Sequence, residues 1–276
     1  MIPKKIHYCW FGGNPLPESA RKCIVSWKKF LPGYEIIEWN EGNYPIDTKC
    51  RYVKEAYKEK KWAFVSDYAR FDILYQHGGI YFDTDVELIA PIDDILERGA
   101  FIGAETSDIL HAFSADLPSV NSGLGLAAEK GIALFYEILN QYSERSFYQR
   151  DGRIDTTTVV RFVSDALKRY LMEPLENGIV KVQCLYIYPK EYFCPMDYET
   201  GQITITPNTR SIHHYSATWL SPRVIKWHAF QQWMKRRFGK KLGRKMLQSG
   251  IFKLVGSLYM YGFSGLLKKS GKVSGR

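Results

Sequence analysis

The sequence predicts an α/β sheet with helices on its faces, and three observations point there. Strand-like and helix-like stretches alternate through the first two-thirds of the 276 residues, the pattern of strands covered by connecting helices. A composition of 45% hydrophobic and 15% aromatic residues excludes a disordered chain and is enough to bury a sizeable core without staples. A short apolar run, Ile80-Tyr81-Phe82, leaves Gly78-Gly79 and ends in acidic residues, as a strand does when its carboxyl end opens onto a ligand site.

The elements follow in order. Lys5–Phe11 reads as a buried strand, Pro17–Phe30 has a helical pattern, and Tyr34–Trp39 alternates like a strand. Two helices are expected over about 48–60 and 61–77, the second stopped by Gly78-Gly79 before the Ile80–Asp83 strand. Further strands are expected at Ala100–Ala104, Leu124–Ala128, Val180–Tyr188 and Gln202–Thr206, with helices at Ile132–Tyr142 and Thr156–Leu171. Asp155, opening Asp-Thr-Thr-Thr, reads as the N-cap of that last helix.

Charge divides the chain near Pro222. From Pro222 to Arg276 there are fourteen Lys or Arg and no Asp or Glu, so the net charge of +9 conceals a body of 24 basic and 29 acidic residues. A catalytic domain over 1–221 and a basic, amphipathic helical tail over 222–276 are expected, the tail seeking an anionic surface. Residues 222–247 set Lys226, Lys235, Arg236, Arg237, Lys240, Lys241, Arg244 and Lys245 beside Trp227, Phe230, Trp233, Met234 and Phe238. The apolar stretch Ile251–Leu267 is broken by Lys253 and glycines, so a helix pair lying in the membrane interface fits better than a span of about 20 apolar residues. No nucleic-acid-binding motif is present. The five cysteines are scattered and form no CxxC pair, which argues against a disulfide framework or zinc site. The first strand leaves no room for a signal peptide, so a cytoplasmic protein, peripheral on the inner face of the cell membrane, is expected.

The strongest chemical signal is Ile80-Tyr81-Phe82-Asp83-Thr84-Asp85. With the strand period, Asp83 and Asp85 fall on one side of the chain. Two adjacent carboxylates repel unless a cation or proton lies between them, and hard oxygen ligands suit Mg²⁺ or Mn²⁺. Upstream, Asp67 shares a helical stripe with Phe64, Phe71 and Leu74, and Arg70 stands three residues on, within reach of Asp67. Trp10 ends the first strand before Gly12-Gly13 and can stack on a base. His213-His214 and Trp219 come together near the other end, and an imidazole can complete a Mn²⁺ sphere begun by carboxylates.

Ser66-Asp67-x-x-Arg70 followed by Gly78-Gly79-Ile80-Tyr81-x-Asp83-x-Asp85 resembles the DxD-containing sugar transferases of glycosyltransferase family 32, with the glucosylating clostridial toxins as more distant relatives. The resemblance covers about residues 1–220. It implies a GT-A fold, with a mixed central sheet and flanking helices, a nucleotide-sugar donor with UDP favoured, Mn²⁺ or Mg²⁺, and retention of anomeric configuration. By position, it makes Asp85 the direct metal ligand and gives Asp83 the donor ribose or sugar and a share of the metal. His214 is the further metal ligand, with His213 beside it. Asp67 and Arg70 grip the donor sugar and phosphate, Trp10 stacks on the base with His7 on the same donor-binding strand, Trp219 closes over the diphosphate, and Asn121 of Val-Asn-Ser-Gly faces the sugar.

The expected reaction is transfer of a hexose to a glycan or lipid-linked acceptor in surface polysaccharide synthesis, in the manner of bacterial capsular transferases, with Asp83, Asp85, Arg70 and Asn121 at the reacting centre. A metal-dependent nucleotidyl- or phosphotransferase also needs paired carboxylates, but no P-loop or other Gly-rich phosphate cradle supports it. A non-catalytic nucleotide-sugar-binding scaffold is the third reading, separated from the first by hydrolysis of donor sugar.

Overall fold

The computed structural model describes residues 1–117, 119–216 and 221–259. They form two compact units, one of Met1–Pro195 with Ile205–His214, the other of Met196–Thr204 with the described part of the chain from Tyr215 onward. The short Met196–Thr204 segment therefore belongs with the C-terminal helices.

In the first unit the strands are β1 (Lys5–Cys9), β2 (Glu35–Trp39), β3 (Gly79–Tyr81), β4 (Val86–Leu88), β5 (Phe101–Ala104), β6 (Val120–Ala128), β7 (Met172–Pro174), β8 (Val180–Val182), β9 (Leu185–Tyr188) and β10 (Ser211–His213). The helices are α1 (Glu18–Phe30), α2 (Arg51–Lys58), α3 (Trp62–His77), α4 (Asp93–Arg98), α5 (Ile109–Ser114), α6 (Ala133–Ser143), α7 (Val159–Leu167) and α8 (Lys190–Phe193). Eight strands make one sheet in the order β2-β1-β3-β6-β5-β9-β8-β7, and β10 pairs with β4 apart from it. β1 is parallel to β2 and β3, β6 is antiparallel to β3 and β5, and β5 is parallel to β9. This is the mixed sheet with flanking helices that the sequence led us to expect.

The chain leaves β1 outward to β2 and returns through α2 and α3 to β3 on the other side of β1. A reversal of this kind opens a crevice at the carboxyl ends of the strands. The carboxyl ends of β1, β3 and β5 and the amino end of β6 share that edge, which sets Trp10, Asp83, Glu105 and Asn121 along it. β6 is buried at all nine residues, so its glycine-rich sequence serves close packing.

Several elements differ from expectation. The Val180–Tyr188 strand is a hairpin of β8 and β9. Gln202–Thr206 is no strand and makes only the bridge Met196↔Ile203. Thr158 caps α7 by accepting from Arg161 N, whereas Asp155 pairs with Arg145 and accepts from Thr157 N at 2.9 Å. Asp155 lies too early to be the N-cap because the helix begins only at Val159, after Thr158.

Gly78-Gly79 stops α3 for two reasons. Gly78 has φ +64° and Gly79 φ +110°, left-handed backbone that favours glycine. A Cβ on Gly79 would also sit 2.7 Å from Lys5 O and 3.0 Å from His7 Nε2, and one on Gly78 2.8 Å from Lys130 N. β1 and β3 therefore approach through His7. Its Nε2 lies 2.9 Å from Gly78 O and its Nδ1 accepts from Trp39 Nε1 at 3.0 Å. The two partners together specify the neutral ring with the proton on Nε2.

His7 is accordingly a buried structural residue, its pKa pushed from 6.5 down to about 4 by burial, with the His77 and Lys5 charges adding. A base whose folded pKa is lowered binds fewer protons folded than unfolded, so its contribution is complete above pH 6.5 and is lost as pH falls toward 4. The shift amounts to about 3 kcal/mol at most. We expect the urea midpoint to fall across that window, and a His7→Gln variant, less stable at neutral pH, to show a flatter profile there.

Candidate active site

α3 carries the first part of the site. Every residue from Asp67 to Leu74 is buried, so Asp67 and Arg70 enter the interior together and must satisfy one another. Arg70 Nη2 lies 2.9 Å from Asp67 Oδ1 and 3.2 Å from Asp83 Oδ1. Its Nε donates to Ser66 O at 3.1 Å, its Nη1 donates to Ser122 Oγ at 3.3 Å, and its guanidinium carbon lies 4.8 Å from the centre of the Tyr81 ring. Burial opposes the Arg70 charge, but Asp83, Tyr81 and Asp67 more than offset it. Burial pushes Asp67 up to about 7 against the pull of Arg70, and the neighbouring Asp83 charge acts in the same upward sense. One guanidinium thus serves two carboxylates.

Asp83 is fixed from β3 and β6. Tyr81, two residues earlier and on the same face, donates its hydroxyl to Asp83 Oδ1 at 3.0 Å, and Asp83 N donates to Gly123 O at 3.1 Å. A Cβ on Gly123 would lie 2.0 Å from Asp83 Oδ2, so glycine there makes room for the carboxylate. Asn121 Oδ1 accepts from Gly123 N at 2.8 Å, and Asn121 Nδ2 donates to Glu105 Oε1 at 2.8 Å.

Asp85 is positioned by the strands that follow it. α1 holds β4 through Trp27 Nε1 to Val86 O at 2.7 Å and Leu88 N to Ser26 Oγ at 2.9 Å. β10 lies antiparallel on β4 with His213 opposite Val86, and His214 N donates to Asp85 O at 2.9 Å. His213 closes β10 and His214 is the residue after it, and their imidazoles take different carboxylates. His213 Nε2 lies 3.2 Å from Asp85 Oδ1, whereas His214 Nε2 lies 2.8 Å from Glu87 Oε2. The histidine that joins the carboxylates is therefore His213, in place of the expected His214. Ligand atoms of Asp83, Asp85 and His213 all lie within 4.8 Å of one another, close enough for one ion, and two carboxylate oxygens with an imidazole nitrogen suit Mn²⁺ or Mg²⁺. Burial lowers the His213 pKa, but the charge and hydrogen bond of Asp85 outweigh it and raise the value, with Asp83 and Glu105 adding.

Trp10 is partly exposed at the end of β1, its Nε1 donating to Asn14 O at 2.5 Å. His7 is withdrawn into the sheet, as described, and Trp219 lies outside the described residues. Tyr81, Ser122, Gly123 and Glu105 escaped the sequence reading. The period-two spacing of Tyr81 from Asp83 and the strand-end position of Glu105 carried a signal, but the Gly123 contact exists only in three dimensions.

This constellation lies within, or pairs with, residues 17–102, which match the family described as glycosyltransferase sugar-binding region containing DXD motif. The chain is 32% identical over 195 residues to an uncharacterised glycosyltransferase, L373, of Acanthamoeba polyphaga mimivirus, covering 68% of this chain and 74% of that protein. It is 29% identical over 195 residues to inositol phosphoceramide mannosyltransferase 1 of Schizosaccharomyces pombe, covering 67% and 57%. The structure of the galactosyltransferase LgtC, in complex with donor and acceptor sugar analogs, aligns with TM-score 0.45 and 12% identity over 87% of this chain and 95% of that one. The chain belongs to the DXD-containing glycosyltransferase family. It spans between 18% and 74% of the lengths of the curated relatives it matches.

The Gly123 contact gives a test. Gly123 has no left-handed φ, so alanine is allowed by the backbone and acts by displacing Asp83 and crowding Arg70 Nη1, 3.2 Å from the added Cβ. A displacement of about 1 Å in a reacting group can cost about 10²-fold in rate. We expect Gly123→Ala to lose sugar transfer on that scale and to lower the thermal midpoint as the Asp83–Arg70 pairing loosens, in a protein that still folds.

Proposed function

We propose that this protein is a metal-dependent, retaining hexosyltransferase acting from a nucleotide-sugar, with a UDP-sugar favoured, onto a glycan or lipid-linked acceptor in surface polysaccharide synthesis. The observation that carries the reading is the cation-sized group of Asp83, Asp85 and His213 beside the buried Asp67–Arg70 pair, in a chain of this family. Asp85, Asp83 and His213 hold the cation, which when bound supplies the positive charge that neutralises a departing diphosphate.

The chain's own residues do the rest. Arg70, held charged between its carboxylates, stands ready for the donor phosphate, and its preorganisation means little rearrangement as charge develops. Asp67 and Asp83 accept hydroxyls of the donor, Asn121 closes the sugar side, and Trp10 stacks on the base. Same-face attack by the acceptor accounts for retention without a covalent intermediate. Replacing Asp85 by Asn exchanges a carboxylate ligand for a weakly binding amide. Asp85→Asn is expected to abolish transfer in a folded protein, and chelator to inactivate the wild type until Mn²⁺ or Mg²⁺ is returned. Full activity in excess EDTA would sink the metal assignment.

The second unit supports attachment to an anionic membrane surface at the inner face of the cell membrane. α9 (Pro222–Phe238) and α10 (Lys240–Gln248) are followed by a helical stretch over 250–259. Three of the basic residues are neutralised locally, Lys235 and Arg244 by Glu199 and Lys240 by Asp197. Arg236, Arg237, Lys241 and Lys245 are exposed, and so are Trp233, Phe238, Leu242, Ile251 and Leu254. Stacked rings link Trp227, Phe230 and Trp233 along α9. No helix among the described residues is long and apolar enough to cross a membrane, and basic helices with exposed apolar residues suit its interface. Each basic residue near an anionic leaflet contributes about 1 kcal/mol. The protein is therefore expected to sediment with phosphatidylserine-containing vesicles and poorly with neutral ones, and replacing Arg236, Arg237 and Lys241 together by Gln should weaken binding by about 3 kcal/mol. Equal sedimentation of wild type and variant would count against the tail as anchor.

A further inference from the structure

We propose that Glu105 is a specificity-determining residue whose carboxylate accepts hydroxyl groups of the transferred sugar, a role that rests on the transferase reading above. Glu105 directly follows β5, at the sheet edge where β3 leads into Asp83 and β6 begins near Asn121. A register shift between Ile102 and Gly103 brings Gly103 opposite Asn121 and Ala104 opposite Val120. That shift sets the Asn121 amide against the residue following β5.

Three hydrogen bonds then run without interruption from the reacting centre to Glu105. Asp83 N donates to Gly123 O at 3.1 Å, Gly123 N to Asn121 Oδ1 at 2.8 Å, and Asn121 Nδ2 to Glu105 Oε1 at 2.8 Å. The Glu105 backbone is held as well, its N–H donating to Ser119 O at 2.7 Å, while Ser119 N and Val120 N both donate to the buried Ser164 Oγ. The side chain is thus tied through Oε1, and the backbone through its N–H, to the strand that positions Asp83.

Its place relative to the cation site follows from two facts. Glu105 Oε1 is held by Asn121, whose Oδ1 also holds the Gly123 that binds Asp83 N, and Glu105 is not among the three residues whose ligand atoms come within 4.8 Å of one another. A cation held by Asp83, Asp85 and His213 would receive the donor diphosphate, and the sugar would follow on from its second phosphate. On the transferase reading the sugar would lie on the Asn121 side, which Glu105 borders. An anchored carboxylate there suits hydroxyls, because it offers only acceptors and each hydroxyl can donate to it. Because a partner group built for a hydroxyl goes unsatisfied when the hydroxyl is missing, such a residue discriminates among sugars.

Glu105→Gln tests this in the full-length protein, since the Gln oxygen can still accept from Asn121 and the shape is kept. The measurements are calorimetric affinities, with Mn²⁺, for UDP, GDP and their glucose, galactose and mannose conjugates. For the conjugate that the wild type binds best, the variant is expected to lose roughly tenfold or more in affinity, with affinity for the matching free nucleotide unchanged within about twofold and an unaltered thermal midpoint. Glu105→Asp, which retracts the carboxylate by one methylene, should show the same selective loss. Equal losses for nucleotide and conjugate would overturn the sugar role of Glu105 while leaving the transferase reading intact, and so would unchanged affinity for both. A wild type that binds no conjugate better than its free nucleotide would overturn the donor reading and the Glu105 assignment with it.

Discussion

The charge on Arg70 is the constraint around which the first unit is arranged. A guanidinium taken out of water costs several kcal/mol unless its donors find acceptors, and here they reach Ser66, Ser122, Asp67 and Asp83. Those partners come from α3, the residues after β3, and β6. One cation therefore fixes a helix and two strands relative to one another, and a shift of any of them would strand a buried charge. Tyr81 completes the arrangement by facing the guanidinium with its ring while its hydroxyl steadies Asp83.

The same arrangement sets a buried guanidinium beside carboxylates that, with His213, are grouped closely enough for one ion. Arg70 is shared between two carboxylates, so the centre retains acidic character despite its buried cation. Asp83 belongs both to the Arg70 network and to the group that includes Asp85 and His213. The positions of the latter two depend on β4 and β10, which in turn depend on Trp27 and Ser26 of α1. Residues about 130 positions apart in the chain, Asp83 and His213, thus meet in one cluster, as expected for a site built from strand ends and the loops they carry.

In the second unit, charge that the sequence presents as one basic block is divided by the fold. The Met196–Thr204 segment contributes Asp197 and Glu199, which take up Lys240, Lys235 and Arg244. The basic residues left exposed stand among exposed apolar side chains, a combination that favours an interface over bulk water.

The sequence by itself determined the α/β class, the course of α1, α3 and α6, the stop at Gly78-Gly79, and the carboxylates Asp67, Asp83 and Asp85 with Arg70. Each rests on local periodicity or on spacing within one element, and such information survives without a partner strand. Tertiary structure decided what depends on register. It chose His213 over His214 because Asp85 lies in the turn before β4, where its side chain reaches His213 Nε2 while His214 is taken up by Glu87. It drew His7 into the sheet because Trp39 and Gly78 meet its two nitrogens from separate strands. It moved Asp155 from a helix cap to the Arg145 ion pair, and it revealed Gly123 and Glu105 because contacts across β3, β5 and β6 join residues that no sequence window holds together. Periodicity tells which face a residue takes within its own element, but only pairing between elements tells what that face meets.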